Sequence, residues 1–553
     1  MRRLSRIRVA LVILMVALLG TACFSPASTG GGGGALEQER PLQQDAGPPQ
    51  PGGTFRYTLP SDAKSLDPHT QSSYNTHIAI GSTYSKLVDY KTGPDIPYGA
   101  SELEGDLAES WEVSPDGLTW TFTLRQGVKW HNTAPVNGRE FTSADVICTM
   151  DRIRALPGQQ VGQLATVDSW TAPDPYTVVF TLKTPYAEFD TNMAGHFMWI
   201  LPCEGTSGQF DLNTQAIGTG AYVMETWARD RERVLVKNPD YFVEGQPYID
   251  KIQISIVPDQ AASLAAFRTG QTDFLSTLSL DKTQAEKVLA EDPTAILFRE
   301  AGLTETRVFM NQAKAPFDKL EVRRAVALAI DRKAMVAAIR AGGNETGPVS
   351  PTLFGGLPAE ESARLQPYDP EQAKQLLAQA GLPDGFTAKM IVTDGYGANV
   401  VREAQWVQED LAKVGIKLEL DVQDYATYFT ESWAQKNYDI GYGLQTPFLA
   451  ADDYLTGEWL STGARNWYNI NDPQLDQMIN AQRGELDEAK REQMLLDTQR
   501  YIIENVSNPV PLYVYDGLSI YKEYLHDTWS HPDYGTRHQA RMWLGPEAPG
   551  RTG

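Results

Sequence analysis

The chain has 553 residues, 70 acidic against 48 basic side chains, and a formal charge of −22. Hydrophobic residues make up 42% of it and aromatic ones 10%, enough for packed cores, which excludes disorder over the whole length. At ~100–200 residues per domain the length implies about two to four compact units, and the acidic balance excludes nucleic acid, whose phosphates require basic surfaces.

Residues 1–22 hold Arg2, Arg3, Arg6 and Arg8 and no acid, so the remainder carries −26. Val9 to Leu19 is an uncharged apolar run, too short for a membrane span, which needs ~20 residues. A basic start, a short apolar run and then small residues describe an export signal. Its end, Gly20-Thr21-Ala22-Cys23, resembles a lipoprotein processing box, in which Cys23 becomes the first mature residue and carries lipid. An ordinary signal peptide with an incidental cysteine is the alternative. Several acyl chains would anchor the protein durably where one holds only marginally.

Residues 23–51 then read as the lipidated cysteine and a tether, with Gly30 to Gly34 in a row and five prolines between Pro26 and Pro51. A flexible linker of that length spans roughly 30 Å. Two further cysteines remain, Cys148 and Cys203. Outside the cytoplasm they form one disulfide or stay as buried thiols; both readings are open. No Cys-x-x-Cys motif supports redox or zinc chemistry.

From Gly53 the pattern is globular. Thr54 to Leu59 alternates as a strand does, and Leu107 to Leu124 predicts strands around a Ser114-Pro115-Asp116-Gly117 turn. Phe122 and Leu124 face one way, Thr121 and Thr123 the other. Residues 176–182, 221–227 and 233–236 add strands, so the first half is expected to be rich in strands with few helices. The second half alternates: strand at Phe386 to Val392, helix at Val400 to Val414, strand at Ile416 to Val422, helix at Tyr425 to Gln435, strand at Tyr438 to Leu444. Strands separated by helices imply right-handed βαβ units and a parallel or mixed sheet.

Helix boundaries carry their own chemistry. Asp369-Pro370 and Asp472-Pro473 each pair an N-cap with a proline at the first helical position, and Gly381 supplies a stop. Asp331 closes one helix, containing Val322, Val326 and Ile330, and caps the next.

No His-Glu-x-x-His, Gly-x-Ser-x-Gly or Walker-type loop is present, and the seven histidines lack a metal-ligand spacing. His69 and His77 are expected in a solvated loop. Gly218-Thr219-Gly220 is a tight strand-entry turn, too short for a dinucleotide fingerprint. Asp452-Asp453 reads as solvated loop acids or a helix cap, since neighbours in sequence do not converge across one bond as glycosidase carboxylates must. The sequence implies no catalytic residue, metal or cofactor.

The run from Asp106 to His131 (DLAESWEVSPDGLTWTFTLRQGVKWH), followed by Phe141 to Val146, resembles family 5 extracytoplasmic solute-binding proteins, the peptide, dipeptide and nickel binders of ABC importers. Ser65-Leu-Asp-Pro-His69, Gly218 to Tyr222, Phe267 to Asp273, Asn311 with Pro316-Phe317, Val322 to Val326 and Ala329 to Arg332 are similar to family motifs in the same order. The resemblance covers roughly residues 52–544. It implies an α/β, two-lobed periplasmic-binding-protein-like fold of the class II type with an inserted subdomain. The first lobe is then 52–85, 206–300 and 510–545, the insertion 86–205 and the second lobe 301–509. Asn311 and Tyr222 are assigned to the scaffold.

The resemblance further implies a monomeric receptor, lipid-anchored outside the cytoplasmic membrane, that passes a peptide-like or other polar solute to a permease and its ATPase subunits. Ligand contacts are expected from Tyr74 and Asn75, from Tyr396 and Asn399, and from Gln445, Asp452 and Tyr454. Peptide-binding members often carry Trp-x-x-Asp after the last second-lobe strand, the Asp pairing with the ligand amine. Here Leu444 and Pro447 replace the two residues. A buried ammonium without its carboxylate costs several kcal/mol, so Asp452 or Asp453 must substitute, or the solute is an oligosaccharide; chelated metal is a further option. An exported hydrolase or sensor on the same scaffold is the alternative outside the receptor class. The extended stretch Asn132 to Glu140 has no functional account at this level.

Overall fold

Alternation along Thr54–Leu59 puts Phe55, Tyr57 and Leu59 on one face of a strand, and that strand sits near the centre of a seven-stranded sheet. The computed structural model describes residues 47–549 apart from 72, 157–159, 277–279, 301, 341, 396–397, 426, 446–447 and 534–537. The export signal, Cys23 and the tether up to residue 46 lie outside the described residues, as do Tyr396 and Pro447.

The sheet runs Ile296–Glu300, Gly517–Tyr521, Phe274–Leu275, Thr54–Leu59, Lys251–Ile256, Glu232–Lys237, Tyr222–Ala228. Thr54–Leu59 is parallel to Lys251–Ile256 and to Phe274–Leu275, and the other pairings are antiparallel. Between its first and second strands in sequence comes a separate antiparallel sheet: Ala108–Val113, Thr119–Leu124, Thr177–Leu182 and Val167–Asp174. Along Thr119–Leu124, Trp120, Phe122 and Leu124 are buried while the threonines are less so, as the alternation predicts. The helix Ser143–Ala155 packs there, a 13-residue element that the reading of few helices missed. Its signal was Thr142 with Asp145, which form a capping box. Cys148 on this helix is joined to Cys203. The Asn132 to Glu140 stretch serves the same region: Arg139 pairs with Asp145 and Glu204, both at 2.6 Å, tying the helix to Cys203–Thr206.

The second lobe is a six-stranded mixed sheet ordered Gly343–Glu345, Val510–Tyr515, Glu305–Met310, Ile440–Leu444, Phe386–Thr393, Ile416–Gln423. Phe386–Thr393 is parallel to both Ile416–Gln423 and Ile440–Leu444, so the predicted βαβ reading holds there. Helix Ala398–Ala412 crosses between them, with Val400, Ala404, Val407 and Leu411 in the core. Asp331, Asp369 and Asp472 cap their helices by accepting backbone N–H bonds of 2.8–3.1 Å. The helix expected at 425–435 forms as a π-helix, Thr427–Trp433.

The chain crosses from lobe to lobe between Glu300 and Glu305 and again at 515–517, so Val510–Tyr515, expected in the first lobe, belongs to the second, drawn there by pairing with Glu305–Met310. The crossings touch: a Cβ on Gly302 would lie 1.9 Å from the Tyr515 carbonyl oxygen, so only glycine allows the approach. Gly218 is similarly constrained, with 1.8 Å to the Thr83 carbonyl oxygen, at the entry to Tyr222–Ala228.

Candidate functional site

Between the two lobes lies a cleft with a cavity volume of about 1150 Å³, open to solvent on one side. One wall comes from the first-lobe sheet, whose alternation presents Phe55, Tyr57 and, on neighbouring strands, Phe274 and Tyr521. These rings form a continuous surface: Phe274 and Tyr521 stack at 4.6 Å, and Tyr57 meets Phe274 edge-on at 5.9 Å. The floor is the pair of crossings, with Glu300, Gly302, Tyr515 and Asp516 exposed to the cavity. The opposite wall includes Asn399 and Arg402, from the first turn and a half of helix Ala398–Ala412.

Of the sequence-predicted contacts, Asn75 and Asn399 line this cavity. Asn75 donates from Nδ2 to Ser61 Oγ at 2.9 Å. Tyr74 opens the helix Tyr74–Ile80, but its side chain, like Tyr396, is outside the described set. Gln445, Asp452 and Tyr454 are in the second-lobe interior instead, each 1–2% exposed. Gln445 leaves its strand turned inward, and its Nε2 donates to Glu458 at 2.8 Å. Glu458 and Glu305 share Arg307, which is wholly buried and also donates to the Tyr468 hydroxyl at 3.1 Å. The Tyr454 hydroxyl accepts the Phe448 amide at 3.0 Å. Asp452 sits in a short helix, Ala451–Tyr454, where Gln482 and Arg483 donate to its carboxylate at 2.6 and 3.0 Å. It is therefore neither a solvated loop acid nor positioned to meet a ligand.

His69 and His77 are also buried rather than solvated, because Trp199 lies between them: its carbonyl pairs with His69 Nε2 at 3.0 Å and its indole N–H donates to His77 Nδ1 at 3.2 Å. Burial lowers the His69 imidazole to about 4. A polar corner of the cavity adjoins them. Asp533 pairs with Lys86 at 2.6 Å and His196 at 2.8 Å, and these partners hold its carboxyl far below the usual range against the opposing effect of burial.

The cationic groups of the second-lobe wall differ in occupation. Arg340 donates to Glu403 at 2.6 Å and lies 4.0 Å over the Tyr515 ring. Arg402 reaches Asn399 Oδ1 at 3.5 Å and has no carboxylate partner among the described residues. Sequence reasoning missed Arg402 and Glu300. Arg402 follows the flagged Asn399 by three residues, one helical turn, which was the available signal.

Residues 102–467 match the bacterial extracellular solute-binding proteins, family 5. The chain belongs to that family. It is 28% identical to heme-binding protein A of Haemophilus influenzae, over 80% of this chain and 83% of the relative. It is 29% identical to di/tripeptide-binding protein 2 of Pseudomonas aeruginosa, over 74% and 80%. Among solved structures, an ABC transporter-associated periplasmic binding protein of Helicobacter pylori in complex with the peptide STSA matches with a TM-score of 0.71 and 26% identity, covering 90% of this chain and 98% of that one. As a family member the chain is an extracytoplasmic solute-binding protein with the two-lobed mixed α/β fold described above, and its relatives are binding proteins rather than enzymes.

Proposed function

We propose that the chain closes over a peptide-like solute without turning it over and delivers it to an ABC permease with its ATPase subunits. In this reading the protein acts as a monomer, held by lipid on Cys23 at the outer face of the cytoplasmic membrane. The carrying observation is Arg402, a cation on the cavity wall with no carboxylate partner among the described residues, poised to receive the carboxylate of a solute. At about 1150 Å³ the cavity exceeds the ~300–1,000 Å³ typical of small-ligand sites, room for a short peptide. Asn75 and Asn399 supply orienting hydrogen bonds from opposite lobes, which makes binding favour closure. The basic start, apolar run and Gly/Pro-rich tether support the anchored location.

Native mass spectrometry of freshly purified protein tests the reading. The expected result is a co-purified species whose mass and fragments identify a di- to oligopeptide, with its affinity lowered by Arg402→Gln. A bound sugar or porphyrin instead, or affinity indifferent to Arg402→Gln, rejects it.

A further inference from the structure

Four acidic residues line the cavity, and three of them are committed. Asp281 caps a helix by accepting the Gln284 amide at 2.9 Å. Asp516 has Arg299 at 3.8 Å, and Asp533 has Lys86 and His196. Glu300 has no cation among the described residues: it accepts from Ser519 Oγ at 2.6 Å and from the Tyr98 hydroxyl at 3.4 Å. It ends the strand Ile296–Glu300, at the first crossing between lobes. Tyr98 and Tyr521 line the cavity beside it, with Phe298 between them at ring distances of 6.0 and 6.5 Å.

We infer that Glu300 is the anchor for a primary ammonium group of the solute, taking over at the hinge the task for which residue 447 offers proline. Resting on the peptide reading above, this assigns the amino end of the solute to the cavity floor and its carboxylate end to Arg402. Two neutral hydrogen bonds leave acceptor capacity on the carboxylate. Burial without a counter-charge pushes the Glu300 carboxyl up, so an arriving ammonium supplies what the site lacks.

Calorimetric titration with pooled synthetic di- and tripeptides, each with a free or an acetylated amino terminus, tests this. Wild-type protein is expected to bind the free-amine pool at least about tenfold more tightly, the weight of one charge-assisted contact. Glu300→Gln keeps the side-chain size and is expected to abolish that preference, whereas Asp516→Asn keeps it. The acetylation comparison in wild type stands even if Glu300→Gln fails to fold. Equal binding of both pools, a preference that survives Glu300→Gln, or its loss in Asp516→Asn alone overturns the inference and leaves the peptide reading intact. If wild-type protein binds neither pool, the peptide reading falls and this inference with it.

Discussion

Two acids of the second lobe, the buried Glu305 and the half-buried Asp453, set the pH response. Burial raises the Glu305 carboxyl to about 7, the adjacent Arg307 only partly offsetting it. Burial next to Asp452 and Glu188 raises Asp453 to about 8. The folded protein therefore holds protons there that the unfolded chain has lost. Their contribution to stability is complete at low pH and disappears as pH rises through 7 and 8. His69, His131 and His531, each lowered by burial from 6.5 to about 4, oppose this from about pH 4 until the unfolded imidazoles are fully deprotonated, about a unit above 6.5. From about one unit above 6.5, where the unfolded imidazoles have lost their protons too, the acids dominate, so the melting temperature is expected to fall between about pH 7.5 and 8.5. Asp453→Asn should flatten that fall; a wild-type profile that is flat or rising across this window contradicts it. None of this was legible from Asp452-Asp453 as letters. The pair looks like a loop feature, and only the folded chain brings Gln482 and Arg483 to Asp452.

Elements were more legible than side-chain destinations, because period and capping are local. The strand at Thr54–Leu59 has the bounds expected from alternation, and Asp369-Pro370 begins its helix as predicted. Helix Ser143–Ala155 escaped because its buried face is interrupted by Ser143, Asp145 and Thr149. The strand expected at Tyr438 to Leu444 forms as Ile440–Leu444, yet Gln445 after it turns inward to Glu458, a partner 13 residues on. Such a choice depends on tertiary charge pairing that periodicity does not encode. The crossings carry their own test. In Gly302→Ala the added methyl meets Tyr515 backbone at 1.9 Å, so the two segments must part. A loss of about 1–3 kcal/mol in denaturant unfolding is expected from such overpacking, along with altered solute affinity, since Gly302 lines the cavity. Wild-type stability and affinity together would show that the crossings are not in contact in solution.

At the scale of the molecule, the lobes meet in a second place remote in sequence from the crossings. Glu188, at the start of helix Phe189–Ala194 in the insertion, pairs with Arg491 and accepts the Asp452 amide at 3.2 Å. The Ala187 amide donates to the Arg483 carbonyl at 2.9 Å, and the Arg483 guanidinium lies 5.2 Å over Tyr186. Glu188 and Arg491 are only 6% and 8% exposed, so this contact can open only by rehydrating both charges. In Arg491→Ala the arrangement in which the contact is made must hold an uncompensated buried carboxylate, a penalty of about 3–5 kcal/mol. The open arrangement returns Glu188 to water and escapes it. Population shift then requires that Arg491→Ala favour the open form before any solute is added. Small-angle scattering of the variant should give a larger radius of gyration than wild type without solute, and solute affinity should fall because binding must now restore closure. If the two proteins scatter identically and bind alike, the insertion contact is not part of the closing equilibrium, and the crossings alone govern it.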